Sequence, residues 1–459
     1  MSRFRERRVV VTGLGVVTAL GHDVHAVFDA LCRGESGIRP IRRFDVSRSP
    51  STIGGIIEEF EPTTVITDLP GRRMLRMADW VQVLGLCAAE LACDDARLGA
   101  GVAPPDRFGI FFGAGRGGAA VAERLFNLLL AASFTWRRTY ARAEEARDEI
   151  AANVFSIFDG VKPSNYLQQA PSLVSSYIAI RRQARGPTLT NVNLCSAGAQ
   201  AIGEAAWVIA RDDADVMLAG AADSMLNPAE LAGFCALDAV SRRNDEGPGA
   251  SKPFDLRRDG CVIGEGGAAV VLEELGHARR RGARMYAEVL GYGSSSDAYK
   301  VTAPPDDGRG AILAMREALR HAELPPDAVD HINAHGTSTP LNDRIETEAI
   351  KQVFGAHAYR IPVVSTKSMT GHLIAAAGAL EAVVAVKTVS ERRIPPTINL
   401  RVPDPQCDLD YVPEGERRLA GMRVVLSNSF AIGGSNAALV FGAPPDGASH
   451  DGVDRRPVA

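Results

Sequence analysis

The strongest constraint on how this chain can fold is an internal repeat. In the first half NVNLCSAGAQAIGEAAWVIAR reads as a strand, one reactive-looking residue and an Ala-rich helix; in the second half VVSTKSMTGHLIAAAGALEAVVAVK has the same layout. Cys195 and His372 are therefore expected at comparable places, each at the start of a buried helix. The halves also end alike, in GEGGAAVVLEE and GGSNAALVFG. No short-period repeat accompanies this pattern, so it reads as one duplication and not a solenoid.

The surrounding sequence alternates short β-branched runs with Ala-rich helical stretches, the pattern of an α/β fold. Strands are predicted at Arg8 to Thr12 (ending in Gly-Leu-Gly), Arg107 to Phe112, Ala214 to Ala219, Ala268 to Leu272 and Ala287 to Leu290. Others are predicted at His331 to Ala334, Val363 to Ser365, Arg423 to Leu426 and Ala437 to Phe441. Helices are predicted at Gly198 to Arg211, Gly310 to His321, Asp343 to Phe354 and Ile374 to Glu391. A length of 459 residues alone suggests about three domains. The repeat replaces that with one catalytic unit of two halves, 1–275 and 276–443, with a polar, Arg-rich inserted cap near 120–165 and a disordered tail at 444–459.

Composition excludes several classes of function. Hydrophobic residues at 46% and charged residues at 23% are ordinary globular values. A net charge of −4 gives no global reason to expect nucleic-acid binding, though a local basic patch stays open. The longest apolar candidate, Leu373 to Val386, is interrupted by Glu381, so no membrane span is expected. The start, MSRFRERRVVVTG, has no apolar signal core, and a cytoplasmic location is the expectation. Seven scattered cysteines without a C-x-x-C pair argue against a disulfide framework or a zinc site.

Cys195 lies between a strand-like run and a helix start, where free N–H groups and the helix dipole favour a thiolate and the Cys195 N–H faces an oxyanion. A small buried core residue is the alternative reading. His335 opens HGTSTPLND at a strand end, and His372 sits at a helix start, where the dipole favours the neutral ring. Each could instead be a structural histidine; too far apart in sequence and too poor in nearby ligands, they make no case for a metal. Lys367 stands five residues before His372 and can tune its neighbours, or else pair with Glu346 or Asp343. The NSFAIGGSN turn presents backbone N–H groups to a ligand. Gly113 to Gly118 matches G-x-G-x-x-G, but the acidic residue expected about 20 positions on is missing, which argues against a dinucleotide site.

Together NLCSAGAQAIGEA, NAHGTSTPLND, STKSMTGHLIAAAG and NSFAIGGSNAALVF resemble the β-ketoacyl-acyl-carrier-protein synthases, and the resemblance runs from about residue 8 to 443. It looks closest to type II elongating enzymes and discrete polyketide ketosynthases. The resemblance implies the thiolase fold, two similar halves in five αβαβα layers, and a decarboxylative Claisen condensation. Cys195 would carry the acyl group, the N–H groups of Cys195 and Ile432 would form the oxyanion hole, and His335 and His372 would stabilise the enolate. Lys367 would organise the histidines with Glu346 as its partner. Thr337 and Thr339 would contact the pantetheine arm, and Phe234, Phe430 and Ile432 would line the substrate pocket. An acidic acyl carrier protein is the implied partner, with Arg72, Arg73, Arg76, Arg242 and Arg243 as candidates for docking or simply solvated charges. A homodimer, or a heterodimer with a ketosynthase-like subunit, is also implied. No metal or cofactor is implied beyond the carrier's phosphopantetheine.

Three departures from the family pattern bear on the substrate. The usual Gly-Phe-Gly-Gly gate reads Ala431-Ile432-Gly433-Gly434, the 120–165 insertion falls where the family builds its acyl pocket and dimer contact, and the missing aromatic gate favours a specialised polyketide role over a housekeeping fatty-acid one. An acyltransferase that uses Cys195 without condensing is the alternative.

Overall fold

The computed structural model describes residues 3–99, 101–115 and 167–445. The inserted cap expected at 120–165, Arg116 to Gly118 of the glycine motif and nearly all of the tail lie outside the described residues.

Ten strands carry the fold, five from each half. The first half supplies β1 (Val9–Val17), β2 (Phe108–Ala114), β3 (Thr188–Asn191), β4 (Val216–Ser224) and β5 (Glu265–Glu274). The second half supplies β6 (Ala287–Ser296), β7 (His331–Asn333), β8 (Val363–Val364), β9 (Val424–Phe430) and β10 (Ser435–Gly442). Their order is β3-β2-β4-β5-β1 in one half and β8-β7-β9-β10-β6 in the other, the same 3-2-4-5-1 arrangement twice. Strand directions repeat too. β2 pairs parallel with β3 and β4, and β7 parallel with β8 and β9. The remaining pairs in each half are antiparallel. A three-residue seam, Val9 to Val11 against Ala287 to Val289, joins the halves into one ten-stranded ladder.

Helices fall at matching positions. α1 (Trp80–Asp95), α2 (Leu173–Arg182) and α3 (Ala197–Ala210) follow the first three strands of one half. α4 (Arg309–Ala322), α5 (Pro340–Phe354) and α6 (Ala377–Glu391) do so in the other. Helices α3 and α6 lie between the two sheets in the largest apolar core. Helices α1 and α2 cover one outer face and α4 and α5 the other. The result is the five-layer arrangement of the thiolase fold.

The central helices approach each other through small residues. A Cβ on Gly198 would lie 2.6 Å from the Ala379 N, and one on Gly378 would lie 2.9 Å from the Ala199 N. The Gly-Leu-Gly after Thr12 was expected to end the first strand, but β1 continues to Val17. Its glycines make room for α1: a Cβ on Gly15 would sit 2.1 Å from the Ala88 carbonyl oxygen, and Gly293 in β6 has the same relation to Ala314. Backbone approach of this kind, and not phosphate binding, explains these glycines.

Candidate active site

The two central helices begin in the same way. Before α3 the turn Leu194–Ser196 puts Leu194 at φ 46°, and before α6 the turn Ile374–Ala376 puts Ile374 at φ 45°. A left-handed backbone at a non-glycine residue is uncommon, and here it belongs to the repeated turn. The positional equivalent of Cys195 is therefore Ala375, and His372 lies three residues upstream of it. The expected equivalence of Cys195 and His372 is corrected on this point.

The chain nevertheless brings them together. His372 Nε2 lies 3.1 Å from Cys195 Sγ, because His372 is fixed by a backbone bridge to Ile263 and donates its N–H to the Val262 carbonyl at 2.7 Å. His335, just beyond β7, meets His372 edge-on with ring centroids 5.3 Å apart. One ligand atom from each of Cys195, His335 and His372 falls within 4.8 Å of the others. The two histidines, expected to act on one enolate although far apart in sequence, are brought by the α/β crossovers to one end of the sheet. Such a trio has the composition of a metal-ligand set, but Cys195 and His372 already contact each other.

Burial controls the electrostatics. It pushes the Cys195 thiol up to about 11, against the opposing effects of the Ile432 N–H, the Lys367 ammonium and the Cys195 N–H. The thiolate expected from the helix dipole is thus not the resting form, because desolvation outweighs it. Burial, followed by Lys367, holds both histidines well below the usual imidazole range, with His372 adding to the effect on His335. Both rings are neutral at pH 7. Lys367 donates to the His335 carbonyl at 2.6 Å and lies 3.4 Å from His335 Nδ1. An ammonium has only donors, so Nδ1 is the lone-pair side and the ring proton sits on Nε2.

Lys367 corrects a second expectation. Its ion-pair partner is Glu381 of α6, not Glu346 or Asp343. Glu346 works on the backbone instead: it accepts from the N–H groups of His335 and Gly336, both at 2.8 Å, and from Asn428 at 3.1 Å. A further acid escaped the sequence reading. Asp223, at the end of β4, is fully buried and accepts from Ala375 N at 2.9 Å and Ser224 N at 2.8 Å. It ties the first half to the turn that follows His372.

A cavity of about 330 Å³ opens onto Cys195, His335 and His372. Phe234, Thr337, Thr339, Glu346, Phe430 and Ile432 also line it, as does Cys261, which the sequence had given no role. The Ala431–Gly434 loop is pinned to another stretch of the cavity wall, with Gly433 N donating to the Val301 carbonyl at 2.7 Å. Arg72, Arg73 and Arg76 are exposed on the helix Leu69–Met77. Arg242 pairs with Asp238 at 2.8 Å, and Arg243 with Glu246 at 3.3 Å.

Comparison with known proteins agrees with this arrangement. The β-ketoacyl synthase N-terminal domain matches residues 6–278 and the C-terminal domain residues 286–401. The 3-oxoacyl-[acyl-carrier-protein] synthase 2 of Coxiella burnetii is 41% identical over 95% of this chain and 98% of its own length. That of Synechocystis is 41% identical over 96% and 99%. A β-ketoacyl synthase structure from Burkholderia phymatum aligns at TM-score 0.83 and 33% identity, covering 95% of this chain and all of that one. A type II polyketide ketosynthase in complex with its acyl-carrier protein aligns at TM-score 0.81 and 33% identity, covering 95% and 99%. With matching domains across both halves and relatives this similar over nearly the whole chain, this protein belongs to the β-ketoacyl synthase family.

Proposed function

We propose that this chain catalyses decarboxylative condensation of an acyl thioester with malonyl-acyl carrier protein, giving 3-oxoacyl-acyl carrier protein. The observation that carries the reading is the 3.1 Å contact of Cys195 Sγ with a neutral His372, with a neutral His335 alongside, at one wall of a cavity. Because the thiol rests protonated, attack requires a base, and His372 Nε2 is placed to take the proton. The thiolate adds to the thioester carbonyl, the N–H groups of Cys195 and Ile432 hold the oxyanion, and the carrier thiol leaves. The malonyl thioester then occupies the vacated site. As carbon dioxide departs, the Nε2–H of His335 donates to the forming enolate and His372 assists. The enolate carbon attacks the acyl-Cys195 carbonyl, the C–S bond breaks to form the 3-oxo product, and the released Cys195 thiolate takes up a proton from solvent. Lys367, Glu381 and Glu346 hold the His335 tautomer and backbone.

The substrates ride on a carrier's phosphopantetheine, with Thr337 and Thr339 along its path and no further cofactor. Arg72, Arg73 and Arg76 form the carrier-docking group. Arg242 and Arg243 contribute less, since each already has a carboxylate of its own. The partner subunit is a second copy or a ketosynthase-like chain; a ketosynthase/chain length factor structure aligns at TM-score 0.81. The exposed edge strand β3, with Leu189 49% exposed, supports such pairing. Ile432 at the gate favours a specialised polyketide substrate over a housekeeping fatty-acid one. No helix of the described residues is long and apolar enough to cross a membrane.

Intact-protein mass spectrometry with a panel of acyl-carrier thioesters tests the reading. One acyl mass should accumulate on wild type and none on Cys195→Ala, and malonyl-carrier should then discharge it with release of carbon dioxide. Acyl transfer without any condensation would leave the acyltransferase alternative.

A further inference from the structure

The two oxyanion donors come from opposite halves of the chain, Cys195 from the turn before α3 and Ile432 from the loop before β10. Donors on separate elements serve one oxygen only if the gap between those elements is held to within about 0.5 Å. A polar ring connects them. Ser435 Oγ, at the start of β10, accepts from Gln200 Nε2 at 2.8 Å and from Ser196 Oγ at 3.1 Å. Gln200 Oε1 accepts from Asn193 Nδ2 at 2.6 Å, and Ser196 Oγ lies 3.0 Å from the Asn193 carbonyl. The ring thus flanks Cys195 on both sides in sequence and holds the first residue after the gate glycines.

The loop has separate holds elsewhere. Ala431 N donates to the Ser435 carbonyl at 2.8 Å, closing the loop on itself, and Asp297 N donates to the Gly434 carbonyl at 2.8 Å. Neither reaches the Cys195 turn. None of Asn193, Ser196, Gln200 and Ser435 lines the cavity. Their side chains act on the geometry of the site and not on the substrate.

We propose that Ser435, held by Gln200 and Ser196, is a positioning residue that sets the distance between the N–H groups of Cys195 and Ile432. This rests on the acyl-enzyme reading above. The test compares two reactions of one thiol. Acyl transfer from an acyl-carrier thioester passes through an oxyanion; alkylation by iodoacetamide displaces iodide and makes none. In Ser435→Ala and Gln200→Met, single-turnover acylation of Cys195 should slow by about 10- to 100-fold. The half-saturating thioester concentration and the alkylation rate should stay at wild-type values. Ser435→Thr keeps the hydroxyl and should restore acylation. Acylation at the wild-type rate in both variants would overturn the inference. So would equal losses of acylation and alkylation without rescue by threonine, which would mean damage to the nucleophile or the fold. A wild type that is alkylated at Cys195 yet takes no acyl group removes the proposed function and this inference together. A wild type that is acylated, with unaffected variants, removes the inference alone.

Discussion

Replacing Glu381 with Leu removes the carboxylate that faces the buried Lys367 ammonium, and the consequences can be worked out. Lys367 and Glu381 are each 2% exposed, so water cannot take over the lost partner. Breaking a buried pair by removing one member costs about 3–5 kcal/mol. With an unfolding entropy of about 2.1 cal/mol/K per residue, a chain of 459 residues gives about 1 kcal/mol per degree, and Tm should fall by about 3–5 °C. Without that carboxylate the ammonium is held only by the His335 carbonyl, so its donation toward His335 Nδ1 is no longer fixed. Malonyl decarboxylation should therefore fall as well. Lys367→Met with Glu381→Leu should recover most of the stability but not the activity. A thermal-unfolding double-mutant cycle is the assay, run for Lys367 with Glu381 and for Lys367 with Glu346. Coupling of several kcal/mol is expected for the first pair and little for the second. The reverse order, or a Glu381→Leu variant that melts with wild type, would refute the reasoning.

Two further outcomes follow from buried acids and thiols. Burial raises Asp223 from the ordinary 3.8 to about 7 against its two backbone N–H donors. Its folded value lies above its unfolded one, so it costs stability as pH rises from about 4 to 7, on the order of 4 kcal/mol when complete. Asp223→Asn should lose less stability than wild type in urea unfolding between pH 5 and pH 8; equal losses would contradict this. For Cys195, with its thiol near 11, the rate of iodoacetamide alkylation should still be climbing at pH 9. A plateau below pH 8 would mean that the thiolate already dominates near neutrality.

What the sequence disclosed followed periodicity and local motif. Helix α3 was placed to within one residue of its observed ends because its Ala-rich run is flanked by clear breaks. Helix α1 was missed: WVQVLGLCAAELACDD is buried on nearly every side and has no polar stripe to set a period. Cys195, His335 and His372 could be singled out by their positions at strand ends and helix starts. Pairings could not be read this way, since Lys367 reaches Glu381 and not Glu346 through the packing of α6. One signal was available. An acid interrupting an otherwise apolar run has to find a buried partner, and Glu381 interrupts the run from Leu373 to Val386. The neutral thiol likewise depends on burial, which local sequence does not report.

The seam between the halves also matters for biosynthesis. Strand β1 has two neighbours, β5 and β6, and both lie beyond residue 264. During synthesis the apolar run VVVTGLGVV therefore waits for about 250 residues of later chain, from residue 17 to residue 265. At a translation rate of about 5–20 residues per second, that is roughly 12–50 s without either strand to pair with. Of the ten strands the first one made waits longest for a partner, which makes residues 9–17 the segment most in need of a chaperone before the chain is complete.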